Sequence, residues 1–288
     1  MLIFVRAGRL GNQLFQYAAL RSHCRDGHSL VLIGFDGLAT VFDGVEARLL
    51  MPSNNLAVRG FQVVRQGLDR VVGAQPVVGT LAEVIDGERV RAADRPGWIG
   101  DVTYGLTGYY QSEMAFRPGA IRRLAIKPAY LEQAARFVHQ EAAGRTPVFV
   151  HVRRGDYAVW PTRENPALVP EDWYRTCIAE MRRRHPDAVF FFASDDTGYV
   201  RQTFGDMDDV TILDGDEGRD LAVLSLCDAG IVSPSTFAWW GAYFARRRNP
   251  QATFLAPLHW AGHRLGRWFP EGIRSSFMEY VPVGGGAS

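Results

Sequence analysis

The 288-residue sequence is poor in lysine, poor in cysteine and free of long apolar runs. Lys127 is its only lysine, so arginine supplies almost all of the positive charge, yet the formal net charge is only +1. A protein that binds a phosphate backbone usually carries a strong basic excess, so the sequence predicts no nucleic-acid partner. Any anion site must therefore be local.

The three cysteines, Cys24, Cys177 and Cys227, are odd in number and far apart, without the spacing of a zinc site. They predict a reducing compartment. The first apolar run is interrupted at Arg6, too early for a signal peptide, and no run approaches the ~20 residues that span a bilayer. We therefore expect a cytoplasmic protein that associates with a membrane, if it does so, peripherally and from the inner face.

The second half of the sequence alternates between apolar strands and amphipathic helices. The predicted strands are 148–152, 189–193, 210–213, 230–232 and 253–256, and the predicted helices are 171–184, 197–204, 219–226 and 237–246. Such alternation is typical of an α/β fold with a parallel, doubly wound sheet.

The first half starts in the same way. A strand at 2–5, a glycine loop at 8–11, a helix at 12–25 and a strand at 29–33 follow one another at βαβ spacing. For residues 36–107 the sequence predicts only a smaller, helix-rich continuation of the first domain. We expect a domain boundary near 127–144, which divides the chain into domains 1–140 and 141–288.

Polar loops follow several predicted strands, where ligands bind in open α/β sheets. Arg153 or Arg154 can pair bidentately with a pyrophosphate, and strand alternation would direct only one of them to the ligand. Ser235, Thr236 and the N–H groups that open the helix at Phe237 form a second candidate anion site. The residues therefore predict a nucleotide-binding protein.

Plainer interpretations of the same residues stay open. Asp195 can accept hydrogen bonds from a base or ribose, or it can cap the helix at 197–204. His151 can contact the ligand, or it can be a core histidine bonded to a backbone carbonyl. Ser235 can be a helix cap with no ligand.

Four segments resemble the signature segments of a known family. They are GRLGNQLFQYA at Gly8–Ala18, GYYQ at Gly108–Gln111, HVRRGDY at His151–Tyr157 and SPSTFAWWGAY at Ser233–Tyr243. In this order they resemble the α-1,2-fucosyltransferases of glycosyltransferase family 11, and the likeness runs from Gly8 to about Trp268. It implies a GT-B architecture, in which two Rossmann-like domains face each other across a cleft. The reduced N-terminal domain would lie on the acceptor side, and the C-terminal domain would bind GDP-fucose.

The resemblance also implies an activity and a set of contacts. The expected reaction is inverting transfer of L-fucose from GDP-β-L-fucose to a glycan hydroxyl, O2 of a galactoside, with no metal or other cofactor. The expected donor-binding residues are Gly11, Asn12, Gln13, His151, Arg153, Arg154, Asp195, Ser235, Thr236 and Phe237. Within this set His151 and Asp195 would contact guanine or ribose, and Arg153 would hold the β-phosphate. We interpret the two Asp-x-Asp spacings, at 206–208 and 214–216, as solvated turns and not as an ion site.

Catalysis is assigned to Arg153 and Asp156. Asp156 is the candidate general base, with orientation of Arg153 as its alternative role and Glu164 as the alternative base. Pro234 stands where the family usually has asparagine, and the Pro-rich loop 159–169 is expected to shape the acceptor site. Two alternative functions stay open: a transferase for another GDP-sugar, such as GDP-mannose or GDP-rhamnose, and a GDP-sugar-binding protein without transfer activity. The cytosolic character fits a bacterial enzyme.

Overall fold

The chain forms two compact α/β units, Met1–Ala125 and Ile126–Ser288. The computed structural model describes residues 1–24, 28–51, 55–74 and 77–284. None of the helices in these ranges has the length and hydropathy of a membrane-spanning segment.

The first unit is built on a six-stranded sheet in the order β4-β2-β1-β7-β5-β6. All neighbouring pairs are parallel except β5 and β6, which form an antiparallel hairpin. Its elements are β1 (Leu2–Val5), α1 (Leu10–His23), β2 (Leu30–Ile33), α2 (Asp36–Val41), β3 (Phe42–Asp43), β4 (Arg48–Leu50), α3 (Asn55–Ala74), β5 (Val78–Asp86), β6 (Arg89–Arg95) and β7 (Ile99–Gly105), with β8 (Ala125–Ile126) at the junction of the units.

The prediction of a helix-rich continuation over 36–107 was wrong for its second part. Three strands, β5, β6 and β7, occupy most of residues 78–105. The long helix of this region, α3, lies before them. The two-residue loop Gly87–Glu88 joins β5 to β6, and Gly87 has φ 59°. Glycine at the first loop position of a tight hairpin is a known sequence signal, so this hairpin was detectable.

The second unit contains a six-stranded, wholly parallel sheet in the order β11-β10-β9-β12-β13-β14. Its elements are α4 (Pro128–Ala142), β9 (Thr146–Val152), α5 (Glu171–Arg184), β10 (Ala188–Ser194), α6 (Thr197–Phe204), β11 (Val210–Ile212), α7 (Glu217–Leu226), β12 (Ala229–Ile231), α8 (Thr236–Arg248), β13 (Thr253–Pro257) and β14 (Glu279–Val281). The predicted alternation of strands and helices is confirmed in this half, and the bounds of α5 and α6 agree with the prediction.

The division between the units lies about fifteen residues before the expected one at 140/141. The helix α4, which we had assigned to the first domain, packs on the second unit. Phe137 on α4 lies edge-on to Phe191 of β10, with ring centroids 6.0 Å apart. The Tyr130 ring covers Gly218 of α7 so closely that a Cβ there would lie 2.6 Å from it.

The centre of the second sheet is buried on both faces. Phe190, Phe191 and Phe192 of β10 are fully buried, as helices cover both sides of a parallel sheet. On β12, which pairs with β9, Gly230 leaves room for the ring of Phe149 on β9, and a Cβ at Gly230 would lie 2.4 Å from that ring. The sheet therefore requires glycine at position 230 for packing.

We expect Gly230→Ala to destabilise the second unit by about 1–3 kcal/mol, because the methyl group overpacks the core against Phe149. Thermal and urea unfolding measure the change. Gly198→Ala in α6 is the matched control, since the nearest atom to its Cβ would be 3.6 Å away, and alanine there should be neutral or stabilising by up to about 1 kcal/mol. Equal stability of the two variants would contradict this packing argument.

Candidate functional site

Three neighbouring strands, β10, β9 and β12, end at the same edge of the second sheet. The loops that follow them carry Arg153 and Arg154, Ser194–Asp196, and Ser233–Ser235. Because β9 lies between the other two strands, its loop can contact both neighbours. Ligands of open α/β sheets bind at this carboxyl edge.

Arg153 lies between two carboxylates. Its Nη2 donates to Asp156 Oδ1 at 2.5 Å, and its Nη1 is 3.1 Å from Asp195 Oδ2. Its guanidinium carbon is 5.3 Å from the centroid of the Tyr157 ring, and the side chain is 17% exposed. The planar fork is thus held in one orientation, with N–H groups left for a third acceptor.

Arg154 takes a different direction. Its guanidinium stacks on the Tyr199 ring of α6, with Cζ 3.6 Å from the centroid, and its Nε is 3.8 Å from Asp196 Oδ2. Its backbone N–H donates to Asp195 Oδ1 at 2.8 Å. The two arginine side chains therefore diverge, and Arg153 is the one paired with Asp156.

Asp195 joins the loops after β9 and β10. One oxygen accepts from the Arg154 backbone and the other contacts Arg153. Gly155 is required for this approach, because a Cβ there would lie 2.4 Å from Asp195 Oδ2. The helix cap that we considered for this pair of aspartates belongs to Asp196, which accepts from the Tyr199 N–H.

His151 is buried near the end of β9. Its Nδ1 lies 2.7 Å from Ser233 Oγ, so its partner is a side chain and not the backbone carbonyl that we had considered. Burial, followed by the charge of Arg153, lowers the pKa of His151 to about 3. The imidazole is therefore neutral, and it connects β9 to the loop after β12.

The loop Ser233–Ser235 opens the thirteen-residue helix α8. Ser235 is its buried N-cap residue and has extended backbone, but its hydroxyl makes no capping hydrogen bond within the described residues. Tyr157 Oη donates to the Pro234 carbonyl at 2.5 Å. The first N–H groups of α8, at Thr236 and Phe237, therefore open at the same edge as Arg153, where an anion is favoured.

The predicted residues Gly11, Asn12 and Gln13 lie in the first turn of α1 in the first unit. Asn12 Oδ1 accepts from Gln111 Nε2 at 2.8 Å, which joins the GRLGNQ segment to the GYYQ segment. Gln13 is turned inward, since it is 1% exposed and its Oε1 accepts from the Leu38 N–H. Its amide oxygen therefore stabilises the interior of the first unit.

Two residues that the sequence analysis did not single out stabilise these first-unit segments. Gln16 donates to the carbonyls of Ala7 and Gly108. Glu83 on β5 accepts from the backbone N–H groups of Tyr109 and Tyr110. Gln16 lies inside a quoted motif, whereas nothing local in the sequence marks Glu83.

Asp220 in α7 is a further residue that sequence reasoning missed. It follows β11, the edge neighbour of β10, and its Oδ1 is buried beside the Gly215 backbone, which donates a hydrogen bond to the carboxyl. Burial is the main cause that raises the pKa of Asp220 to about 6. Its signal was the acidic run DGDEGRD after a strand.

The first Asp-x-Asp spacing lies in a turn, as we had interpreted it, whereas the second is an extended segment that leads into α7. Asp206 and Asp208 are exposed, Asp214 is largely exposed, and Asp216 caps α7 by accepting from the Arg219 N–H. Across the described ranges, no group of three or more His, Cys, Asp or Glu side chains could hold a metal ion.

Comparison with known proteins identifies relatives. The family model "Glycosyl transferase family 11" matches residues 94–263. An α-1,2-colitosyltransferase of Escherichia coli is 24% identical over 265 residues, which cover 88% of this chain and 90% of that protein. The galactoside 2-alpha-L-fucosyltransferase SEC1 of Bos taurus is 35% identical over 126 residues, which cover 42% of this chain and 33% of that protein.

Two solved structures share the fold at low identity. POFUT1 in complex with GDP-fucose has a TM-score of 0.50 and 12% identity, with 85% of this chain and 93% of that chain covered. A glycosyl transferase family 9 protein of Veillonella parvula has a TM-score of 0.50 and 10% identity, with 88% and 79% covered. The prediction of a GT-B type α/β fold is confirmed.

The buried His151 should make stability depend on pH. Its folded pKa of about 3 lies below the ordinary value of 6.5, so the unfolded chain binds the extra proton first. The contribution of neutral His151 to the free energy of unfolding is fully present above about pH 6.5. As the pH falls from there toward 3, the free energy of unfolding decreases by up to about 1.4 kcal/mol per pH unit because of this group. Urea unfolding at several pH values measures the slope. His151→Asn, whose amide can still hydrogen-bond to Ser233, should flatten this slope, and an unchanged slope would contradict the assignment to His151.

Proposed function

The chain belongs to glycosyl transferase family 11, and we propose that it transfers L-fucose from GDP-β-L-fucose to O2 of a galactoside in a glycan, forming an α-1,2 linkage with inversion. The protein is a glycosyltransferase. The single observation that carries the donor assignment is the position of Arg153, which lies between Asp156 and Asp195 at the edge where α8 begins.

The pyrophosphate of the donor suits this edge. Arg153 is a permanent cation whose fork matches phosphate oxygens, and the first N–H groups of α8 add neutral donors at Thr236 and Phe237. Asp195 has both oxygens engaged by the two arginine residues, so we assign it to positioning Arg153. His151, neutral and bonded to Ser233, positions the loop at Ser235 in the same way.

We assign Asp220 to the guanine base. Guanine presents two adjacent donors, N1–H and the exocyclic amine, and a carboxylate accepts both. The Asp220 carboxyl is buried beside the Gly215 backbone, which donates a hydrogen bond to it, and a carboxylate has lone pairs left for the two donors of the base. This contact favours GDP over a diphosphate of adenine or uracil.

The transfer step is a single displacement. The acceptor hydroxyl loses its proton to a base, its oxygen forms a bond to C1 of fucose, and the C1–O bond to GDP breaks with its electron pair going to the β-phosphate. Arg153 and the α8 N–H groups stabilise that charge without a metal, and losing such a donor typically costs about 10²–10³ in rate. The reaction therefore needs no cofactor.

Asp156 is the proposed base. Its side chain is 62% exposed, and in the protein without donor one oxygen is bonded to Arg153. A pyrophosphate competes for the same guanidinium, so donor binding releases the carboxylate toward the acceptor. Glu164, exposed in the loop after Trp160, is the alternative base.

A second donor deserves a test because one relative favours it. The Escherichia coli protein that aligns over 90% of its length is an α-1,2-colitosyltransferase, and colitose is fucose without the 3-hydroxyl. Competition between GDP-fucose and its 3-deoxy analogue, with GDP-mannose as a control, distinguishes the donors. Intact GDP binding with no turnover on any acceptor would instead favour a binding protein.

We also propose where in the cell the reaction takes place. We assign the enzyme to the bacterial cytoplasm, with peripheral association at the inner face of a membrane where growing surface glycans are held. The relative from Escherichia coli supports the bacterial part of this assignment.

The function is tested by incubating the protein with GDP-fucose and lactose, with and without EDTA, and by determining the linkage of the product by NMR. We expect a fucosyl-α-1,2-galactose product and indifference to EDTA. Thermal shifts with GDP, GMP, UDP and ADP should single out GDP, since a ligand at ~100 times its dissociation constant adds about 2.7 kcal/mol. A shift that needs a metal would overturn the donor assignment.

Arg153→Ala should lower kcat by about 10²–10³, because it removes the main stabiliser of the leaving group. Initial rates of GDP release measure this. Arg201→Ala, an exposed arginine of α6, is the control and should keep the wild-type rate. Wild-type turnover in Arg153→Ala would remove the central claim.

Asp156→Asn separates the two roles of this residue. If Asp156 is the base, the variant should bind GDP at least as tightly, since Arg153 is released, while kcat falls by about 10²–10⁴. Isothermal titration calorimetry with GDP measures the affinity, and initial rates measure kcat. Near-normal turnover with unchanged donor affinity would exclude Asp156 as the base.

A further inference from the structure

We propose that Trp160, with Tyr157 and Phe269, forms an aromatic shelf that binds the acceptor sugar by stacking on its apolar face. This inference rests on the proposed function and adds the residues that hold the acceptor. The Trp160 ring lies 4.9 Å from the Tyr157 ring and 5.4 Å from the Phe269 ring, and all three side chains are only partly buried.

The shelf adjoins the catalytic arginine. The Tyr157 ring lies near both the Arg153 guanidinium, whose carbon is 5.3 Å from the ring centroid, and the Trp160 ring, whose centroid is 4.9 Å away. Tyr157 therefore links Trp160 to the group assigned to the pyrophosphate. A fucose attached to that pyrophosphate and an acceptor galactose beyond it would reach this region.

The backbone holds Trp160 in position. Its N–H donates to the carbonyl of Asp156 at 3.0 Å, and its own carbonyl accepts from the N–H of Ala167 at 2.7 Å. Pro161 and Pro166 form a bridge across the same loop. The ring is thus part of an ordered hairpin that begins at the candidate base, so binding does not have to order it.

The exposed chemistry of Trp160 matches a pyranose. Its indole N–H donates to no atom of the described chain and is accessible, so it can donate to a sugar hydroxyl. Val159, the residue before Trp160 in the sequence, is a further exposed apolar side chain, at 52%. In contrast, Trp239 and Trp240 are fully buried, so they can form no such surface. A β-galactoside combines one face of C–H groups with hydroxyls at its rim, which an aromatic ring with a polar edge accommodates.

Saturation-transfer NMR with lactose and N-acetyllactosamine, in the presence of GDP, tests the shelf without any turnover. We expect galactose ring protons to receive saturation in the wild type, and the signal to disappear in Trp160→Ala. Trp98→Ala is the control, since Trp98 is 85% exposed at the amino end of β7, away from the quoted motifs. Absence of galactoside binding in the wild type, or equal binding in Trp160→Ala, would overturn the proposal.

Kinetics distinguish the shelf from the donor site. In Trp160→Ala the acceptor KM should rise at least tenfold, while the thermal shift with GDP and the slow hydrolysis of GDP-fucose stay at wild-type values. Trp160→Phe keeps an aromatic ring but loses the indole N–H, so its acceptor KM should lie between those of the wild type and Trp160→Ala. If Trp160→Ala loses GDP binding or hydrolysis, Trp160 belongs to the donor site and the shelf is wrong. If the wild type fails to hydrolyse or transfer fucose yet binds galactosides through Trp160, the donor assignment fails and the shelf stands.

Discussion

A guanidinium held between two carboxylates organises the second unit. Arg153 meets Asp156 from its own loop and Asp195 from the next strand, and it is largely shielded from water. Charge-assisted hydrogen bonds of this kind are strong and directional, so they fix the fork before any ligand arrives. Two negative charges therefore surround one positive charge. Asp156 is the more exposed of the two carboxylates, at 62% against 22% for Asp195.

The four quoted segments work in pairs, one pair in each unit. In the first unit, Asn12 bonds to Gln111 and Gln16 bonds to the Gly108 carbonyl. In the second unit, His151 bonds to Ser233 and Tyr157 to the Pro234 carbonyl. The last contact uses a backbone acceptor, which proline retains. The replacement of the usual asparagine therefore leaves this connection between the loops intact.

The sequence predicted strands and helices correctly where apolar residues form a continuous strand or recur at the period of a helix. The parallel strands of the second unit are continuous apolar runs between amphipathic helices, and each could be identified from its own residues. The prediction failed for strands that carry polar residues on both faces of the sheet. The strands β5 and β6 contain several charged residues, and only the glycine of their tight turn marked them. The boundary was misplaced for a related reason, since the packing of α4 depends on Phe191 and Gly218, far along the chain.

The sequence by itself determined that polar loops follow buried parallel strands, and that HVRRGDY and SPSTF lie in such loops, because strand and loop propensities are local. It could not specify which arginine guanidinium lies between Asp156 and Asp195, or which distant residues hydrogen-bond to this loop. Those answers depend on the order of strands, in which β9 lies between β10 and β12. That order brings Asp195, 41 residues from Arg154, and Ser233, 82 residues from His151, into hydrogen-bond distance. Only the tertiary structure decided these partners, because contacts between distant residues follow from the packing of the whole sheet.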